Sequence, residues 1–551
     1  MSFDPQPLLY WFRYGPEKGL ELGAFPIWLI VAGGLALIVF LVSLLSVFVS
    51  HRGAGRRVFF GELSGCVSDV VSLSPRRIGA LAKLTFLEAY RRKALSVFVV
   101  FALLFMFAGW FMGGDTAKIT GDQVKVYISF VLRAISWLTL PIVLVLCSFG
   151  IPEDIRLRSL HTVVTKPARR LEIVLGRVIG FSLIGTLVLL VMSTVGYIWI
   201  VRQIPAKEQG LLTCRVPVYG TLSFLDRQGA AAEKGINTGD IWEFRSYIEG
   251  ATAARARWEF HNIDESALDD AGNLHLENQF VAFRSYKGDM KRQLLFDFKF
   301  INPEKQAAPG QPLTFTTEAR QVNEFRGVTD KIHRKLGRDG DEKTFDLIKD
   351  FVKKDRSLTV EVSCIDREQY LGMARPDLFI RKPDQPFWTG YAKAVLGIEL
   401  MVILVAIMAV TASTFLKGPI ATVLTCCLLA LGGEDAHKFM DELVGGTFKG
   451  GGFLESIYRI LTHMNPTTDL PDNPAFVGMR LFDAVLTSFL WLCKQVIPQL
   501  KYFNMSEYVS NGFDVPWDSS VIPSLLVTLG YLIPCVLLGY FALRIRELES
   551  K

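Results

Sequence analysis

The sequence predicts a polytopic α-helical membrane protein of about seven spans, interrupted by an inserted, mostly-β, sandwich-like domain. Three observations predict it. Half of the residues are apolar and only 21% are charged, with a positive mean hydropathy. Several windows of about 18 to 25 residues carry almost no charge, which is the length a helix needs to cross a hydrocarbon core of about 30 Å. One long interval, 203–385, breaks that pattern with short runs that alternate apolar and polar with period two.

The spans fall at 25–49, 95–112, 126–150, 173–201, 388–411, 418–433 and 521–543. The first lacks a basic leading segment and reads as a retained span rather than a cleaved signal. A further run, 481–493, is apolar for 13 residues between Arg480 and Lys494. That length suits an interfacial or re-entrant helix better than a crossing.

Orientation follows from basic residues in the short loops. Residues 50–94 hold nine Lys/Arg against three acids, and 151–170 hold five against two. Both segments are therefore expected in the cytoplasm. The N-terminal tail and 203–385 then lie outside, and seven spans return the C-terminus, with Arg544, Arg546 and Lys551, to the cytoplasm. The expected location is the cell inner or plasma membrane.

Within 203–385, 28 Lys/Arg balance 29 Asp/Glu, which gives no electrostatic case for nucleic acid. Runs such as VPVYGTLSFL, ARARWEFHNI, LHLENQFVAF, QLLFDFKFI, SLTVEVSCID and MARPDLFIR predict short strands. One helix is expected at 342–354. A second polar stretch, 434–520, mixes glycine-rich turns with amphipathic pieces and reads as re-entrant or interfacial.

Of eight cysteines, Cys147, Cys426, Cys427, Cys493 and Cys535 sit in or beside apolar runs, where they act as small apolar residues. Cys66 belongs to the linker. Cys214 and Cys364 lie near the two ends of the β-rich interval, each in a strand-like run. They form a disulfide if those strands are neighbours, and two buried thiols otherwise.

No phosphate-cradling G-x-x-x-x-G-K-[ST], no H-E-x-x-H, no C-x-x-C and no G-x-S-x-G is present, and the seven histidines have no ligand spacing. The sequence therefore predicts neither a catalytic site nor a metal site in this chain. Two ionisable residues fall inside spans, Arg133 and Glu399. A charge there costs a few kcal/mol unless it is paired or hydrated. Their depths differ by about one helical turn. An Arg133–Glu399 pair is one expectation; an Arg133 that snorkels to the headgroups beside a separately satisfied Glu399 is the other.

Two cytoplasmic segments carry a family resemblance. RRIGALAKLTFLEAYRRKALSVFVVF, at 76–101, resembles the entry of an ABC-2 type permease: an amphipathic interfacial helix, a Phe/Glu pair and a basic cluster, here Phe86, Glu88, Arg91, Arg92 and Lys93. Glu88 and Arg92 stand at i,i+4, suited to a helix-surface pair. EDIRLRSLHTVVTKPARRLEIVLGRVIG, at 153–180, is similar to that family's loop between core spans two and three. The matching positions are Glu153, Asp154, Arg158, Thr165, Lys166, Pro167, Arg170, Leu175, Gly176, Arg177 and Gly180. Glu153 and Asp154 suit a helix start, and Pro167 stops a short helix.

The resemblance covers roughly 76–202 and 386–551 and implies a six-helix core with one added N-terminal span. It implies that 151–170 is a coupling helix docking on a separate ABC ATPase subunit through Glu153, Asp154, Arg158, Lys166, Pro167 and Arg170. ATP and Mg would then be held by that partner, and none in this chain. It also implies a second permease subunit, identical or not, and lipid contact along the interfacial helix. The closest type is the permease linked to maturation of multicopper enzymes, though no Met- or His-rich copper track is present. Simple members lack the β insertion, so no substrate carries over. The expected function is an ABC-2 exporter subunit. A force-transmitting complex without cargo, and a receptor or scaffold built on the β domain, are the rival readings.

Overall fold

The computed structural model describes residues 26–34, 37–38, 41–42, 72–91, 121–156, 169–232, 234–236, 245–284, 294–308, 311–321, 328–336, 345–367, 369–444, 452–465, 468 and 473–549. Its contacts divide the chain into two units. One comprises 212–390 with 512–514; the other comprises the remaining described residues.

The helical unit begins with a segment at 26–34. Helix α1 (Pro75–Arg91) follows, then α2 (Gly121–Arg156) and α3 (Arg170–Gln203). Beyond the β unit come α4 (Phe387–Phe415), α5 (Gly418–Leu431), α6 (Glu434–Val444), α7 (Phe453–Thr462), α8 (Pro474–Val496), the short α9 (Ser506–Ser510) and α10 (Ile522–Glu549). Among the described residues five stretches are long and apolar enough to cross a membrane: Gly121–Arg156, Arg170–Gln203, Phe387–Phe415, Pro474–Ser510 and Trp517–Leu543. Helices α5 and α6, bent by 69° at a short break, make a sixth if they count together. The chain is a membrane protein with a β-rich insertion. The expected span at 95–112 lies outside the described residues.

Helix α4 is the most buried of the spans, and its neighbours show why. Tyr391 donates to the Ser193 carbonyl of α3 at 2.9 Å, and Thr411 to the Cys535 carbonyl of α10 at 3.1 Å. Small residues allow the approach. A Cβ on Gly185 would sit 2.6 Å from Val402, and one on Gly196 would sit 3.1 Å from the Tyr391 hydroxyl oxygen. Packing of this kind, with hydroxyl-to-carbonyl bonds between helices, holds bundles together where no hydrophobic driving force separates helix from lipid. The first helical segment joins it through Trp28 Nε1, which donates to the Gly530 carbonyl of α10 at 2.9 Å.

The run at 481–493 is part of a longer helix than its apolar stretch suggests. Helix α8 has 23 residues and continues through Arg480 and Asp483. Neither polar residue breaks it. Asp483 turns its carboxylate to the start of α7, accepting from the backbone N–H groups of Leu454 at 2.9 Å and Glu455 at 3.1 Å.

The β unit contains β1 (Thr213–Tyr219), β2 (Thr221–Leu225), β3 (Ala231–Ala232), β4 (Ser246–Glu249), β5 (Arg255–Phe260), β6 (Asn273–Asn278), β7 (Val281–Arg284), β8 (Leu294–Ala308), β9 (Gln311–Gln321), β10 (Val328–His333), β11 (Lys335–Leu336), β12 (Phe345–Asp346), β13 (Leu358–Cys364), β14 (Gln369–Met373) and β15 (Leu378–Pro386). The main sheets are β3-β2-β5-β13-β8-β9 and β1-β15-β6-β10, with smaller sheets β4-β14-β7 and β11-β12. Trp258, Phe260, Phe296, Phe298, Phe300, Val360 and Val362 from the larger sheet share one core with Leu274, Leu276, Leu378 and Ile380 from the second. Period-two alternation places these side chains on one face of each strand.

Two expectations need correction here. Of the helix expected at 342–354, the described residues from 345 on form β12 and a single turn, Leu347–Phe351, instead. Asp346 caps that turn through the N–H groups of Ile348 and Lys349, and Leu347 and Phe351 are buried. Cys214 and Cys364 are both free and buried. Their strands, β1 and β13, belong to different sheets and are not hydrogen-bonded neighbours, and the two thiols are separately buried.

Candidate functional site

Helices α1, α2 and α3 converge where α2 ends and α3 begins, on either side of residues 157–168, which lie outside the described residues. The sequence arranges this locally. In α1, Ala82, Thr85 and Ala89 are the buried residues, a stripe of small side chains on one helix face. In α3, Gly176 and Gly180 stand one turn apart and face that stripe. A Cβ on Gly176 would lie 2.6 Å from the Leu81 Cβ; one on Gly180 would lie 2.5 Å from the Thr85 Cβ and 2.8 Å from the Ala82 carbonyl oxygen. The two glycines thus let α1 lie directly on the α3 backbone.

Arg177, between them in sequence, ties the three helices electrostatically. One guanidinium nitrogen donates to Glu88 Oε2 of α1 at 2.8 Å, and another donates to Asp154 Oδ2 of α2. The Arg177 and Asp154 side chains are 11% and 7% exposed, whereas Glu88 is 33% exposed. The guanidinium also lies 6.0 Å from the ring centroid of Phe181. A charge-assisted pair at this burial has two charges to satisfy, and the geometry satisfies both from one arginine.

A second ionic point lies at the start of α3. Glu172, with a fully buried side chain, accepts from the Arg169 backbone N–H at 3.0 Å. It also accepts from the Ser74 backbone N–H and from Arg77, both at 3.0 Å. A carboxylate in the first turn of α3 suits the helix dipole, and here it fastens the start of α1 to the start of α3. Glu88–Arg177–Asp154 and Arg77–Glu172 together fix the end of α2 and the start of α3 to the amphipathic helix.

Of the expected coupling residues, Glu153, Asp154 and Arg170 fall at these ends, but Glu153 and Asp154 close α2 in its last turn rather than open a helix as expected, and Arg170 opens α3. Arg158, Lys166 and Pro167 lie outside the described residues, as do Arg92 and Lys93. Arg91 is exposed in the last turn of α1. Glu88 faces Arg177, a partner 89 positions away that helix spacing along α1 could not reveal. Glu172 and Arg177 were missed as site residues. The signal available for them was a charged residue on each side of a glycine in LEIVLGRVIG.

Arg133 and Glu399 do not pair. Glu399 Oε1 accepts from the Thr186 hydroxyl of α3 at 2.6 Å, while Arg133 is exposed on α2. Depth alone suggested the pair; the rotation of each helix about its axis decided against it. Among the described residues no group of three or more His, Cys, Asp or Glu is placed to hold a metal ion. No protein-family model matches this chain, and no curated protein matches it.

Proposed function

We propose that the chain is the membrane-spanning permease subunit of an ABC-2 type transporter, an exporter working as a pair of permeases with two separate ATPase subunits. The observation that carries this reading is the convergence at Arg177. Glu88, Asp154, Gly176, Arg177 and Gly180, all positions of the two family-like segments, meet where α2 ends and α3 begins.

In this reading the 151–170 loop is cytoplasmic and receives the ATPase, which binds ATP and Mg. Lys166, Pro167 and Arg170 make the contact. Helix α1, the first part of α3 and the end of α2 move as one body, because Glu172 and Arg177 hold them together. A push on the loop therefore reaches α1 and the membrane helices without being absorbed by a slack joint.

The test is a pull-down from native membranes with a C-terminal tag, comparing wild type with a Lys166→Glu, Arg170→Glu double variant. The reading expects an ATPase subunit with wild type and its loss with the variant. No ATPase in either sample overturns it. A second reading is favoured by the size and independent core of the β unit: the same motor acting on an envelope partner with no cargo crossing. Reconstituted vesicles separate the two, since only a transporter accumulates cargo on ATP addition.

A further inference from the structure

Between Lys125 and Glu153, α2 carries one charged residue, Arg133. Arg133 is exposed and has no carboxylate partner among the described residues. Lys125 and Ser129 precede it by eight and four positions, so the three side chains share one helix face, spread over about 12 Å of rise. The same face carries Phe130, Trp137 and Leu138. These side chains line one side of an open space, all its described lining coming from α2. Trp137 is 79% exposed, the highest value among the exposed large hydrophobic residues described.

A guanidinium at that depth needs an anion or water. Its side chain is long enough to turn toward the Lys125 end of the helix, where headgroup phosphates lie. Two cations on one strip complement a net-negative headgroup; a zwitterionic one brings its own cation and gains less. Ser129 adds a hydroxyl donor between them. One turn deeper the face changes from polar to Trp137 and Leu138, which matches the passage from headgroup to acyl chain.

We propose that this strip of α2 is a binding site for an anionic phospholipid, with the phosphate held by Lys125, Ser129 and Arg133 and an acyl chain laid along Trp137 and Leu138. The site requires only that α2 lies in a membrane, so it stands or falls apart from the transporter reading.

The experiment uses the full-length protein equilibrated in phosphatidylcholine containing a minority of phosphatidylglycerol, with the retained lipid quantified by mass spectrometry. Wild type is expected to enrich phosphatidylglycerol by about fivefold per cation. Lys125→Gln with Arg133→Gln returns the ratio to that of the bulk lipid, and Arg133→Lys keeps most of the enrichment. Equal enrichment in the double variant, or none in wild type, overturns the proposal. Displacement of the lipid by water-soluble glycerol phosphate overturns it in favour of a free-phosphate site. Cross-linking of Trp137→Cys to a second copy of the chain, or to a cysteine placed in 95–112, assigns the face to protein and also overturns it.

Discussion

Arg177 of α3 and Asp154 of α2 form an ion pair that is almost wholly removed from solvent, on the two sides of residues 157–168. Glu88 closes the arrangement from α1 at 2.8 Å, but from a more exposed position. The three contributions are therefore unequal. Arg177→Ala strands the buried Asp154 carboxylate and is expected to destabilise the helical unit by about 3 kcal/mol. Glu88→Ala should cost about 1 kcal/mol or less, as an exposed pair does. Thermal unfolding of the purified protein measures both. Equal effects would show that the burial difference does not govern the junction.

The glycines of α1 and α3 separate close approach from mere helix content. Gly180→Ala puts a methyl within 2.5 Å of Thr85 and should lower the melting temperature. Gly79→Ala meets nothing within 4 Å on an exposed helix position and should instead stabilise by up to about 1 kcal/mol. Opposite signs for the same chemical change are the expected result in a single unfolding assay.

Inside the membrane, Thr186 and Glu399 should be coupled and Arg133 and Glu399 should not. A double-mutant cycle for Thr186→Val and Glu399→Gln is expected to give an interaction of about 0.6 kcal/mol, the usual size of an interhelical hydrogen bond in lipid. The cycle for Arg133→Gln and Glu399→Gln should be additive. Coupling in the second cycle would contradict the helix orientations described above.

The β unit carries carboxylates that titrate in opposite senses. Burial raises the Asp330 carboxyl above its ordinary value of 3.8, against a hydrogen bond from Asn278 Nδ2 at 2.8 Å. The folded state then holds that proton more tightly than the unfolded state. The contribution is fullest below 3.8 and is lost as pH rises through the raised value. Asp330→Asn should therefore raise the melting temperature at pH 7, with the gain shrinking as pH falls toward 4. Asp269 behaves in reverse. The Asn273 backbone N–H and the His275 ring hold it below 3.8, so its contribution is present above that value and lost on further acidification. Asp269→Asn should destabilise at pH 7 and have less effect in acid.

The aromatic core of the β unit gives a direct check on its layering. Phe298 is fully buried, edge-on to Phe296 at 5.4 Å between centroids. Phe298→Ala should cost about 3 to 5 kcal/mol, read as loss of the β unit's own unfolding transition to lower temperature. A loss under about 1 kcal/mol would mean that the site collapses around the cavity.

Much of this architecture is legible in the sequence because its signals are periodic. The six alternating runs between 216 and 381 each contain or overlap a strand. LHLENQFVAF holds two strands, β6 and β7, because alternation persists across the break between them. Strand β9, QPLTFTTEARQ, was not read, since threonine and glutamine blur its alternation and it lies at a sheet edge. Helix α8 was cut short because Arg480 looks like a boundary when only hydropathy is counted. At the candidate site, residue types and order were visible but their partners were not. Glu88, Asp154 and Arg177 belong to three helices, and only the packing of Gly176 and Gly180 on α1 brings them together. Within a span, sequence gives depth without rotation, which is why Arg133 and Glu399 looked like partners.

The β insertion begins and ends on paired strands. Thr213, opening β1, stands opposite Pro386, closing β15, in an antiparallel register, and Phe387 starts α4 with no residue between. Antiparallel partners of this kind have Cα atoms about 5 Å apart. To the chain on either side, more than 170 intervening residues occupy no more room than a hairpin turn does. A single recombination event that exchanged the domain at these two points would therefore leave the spacing of its entry and exit unchanged.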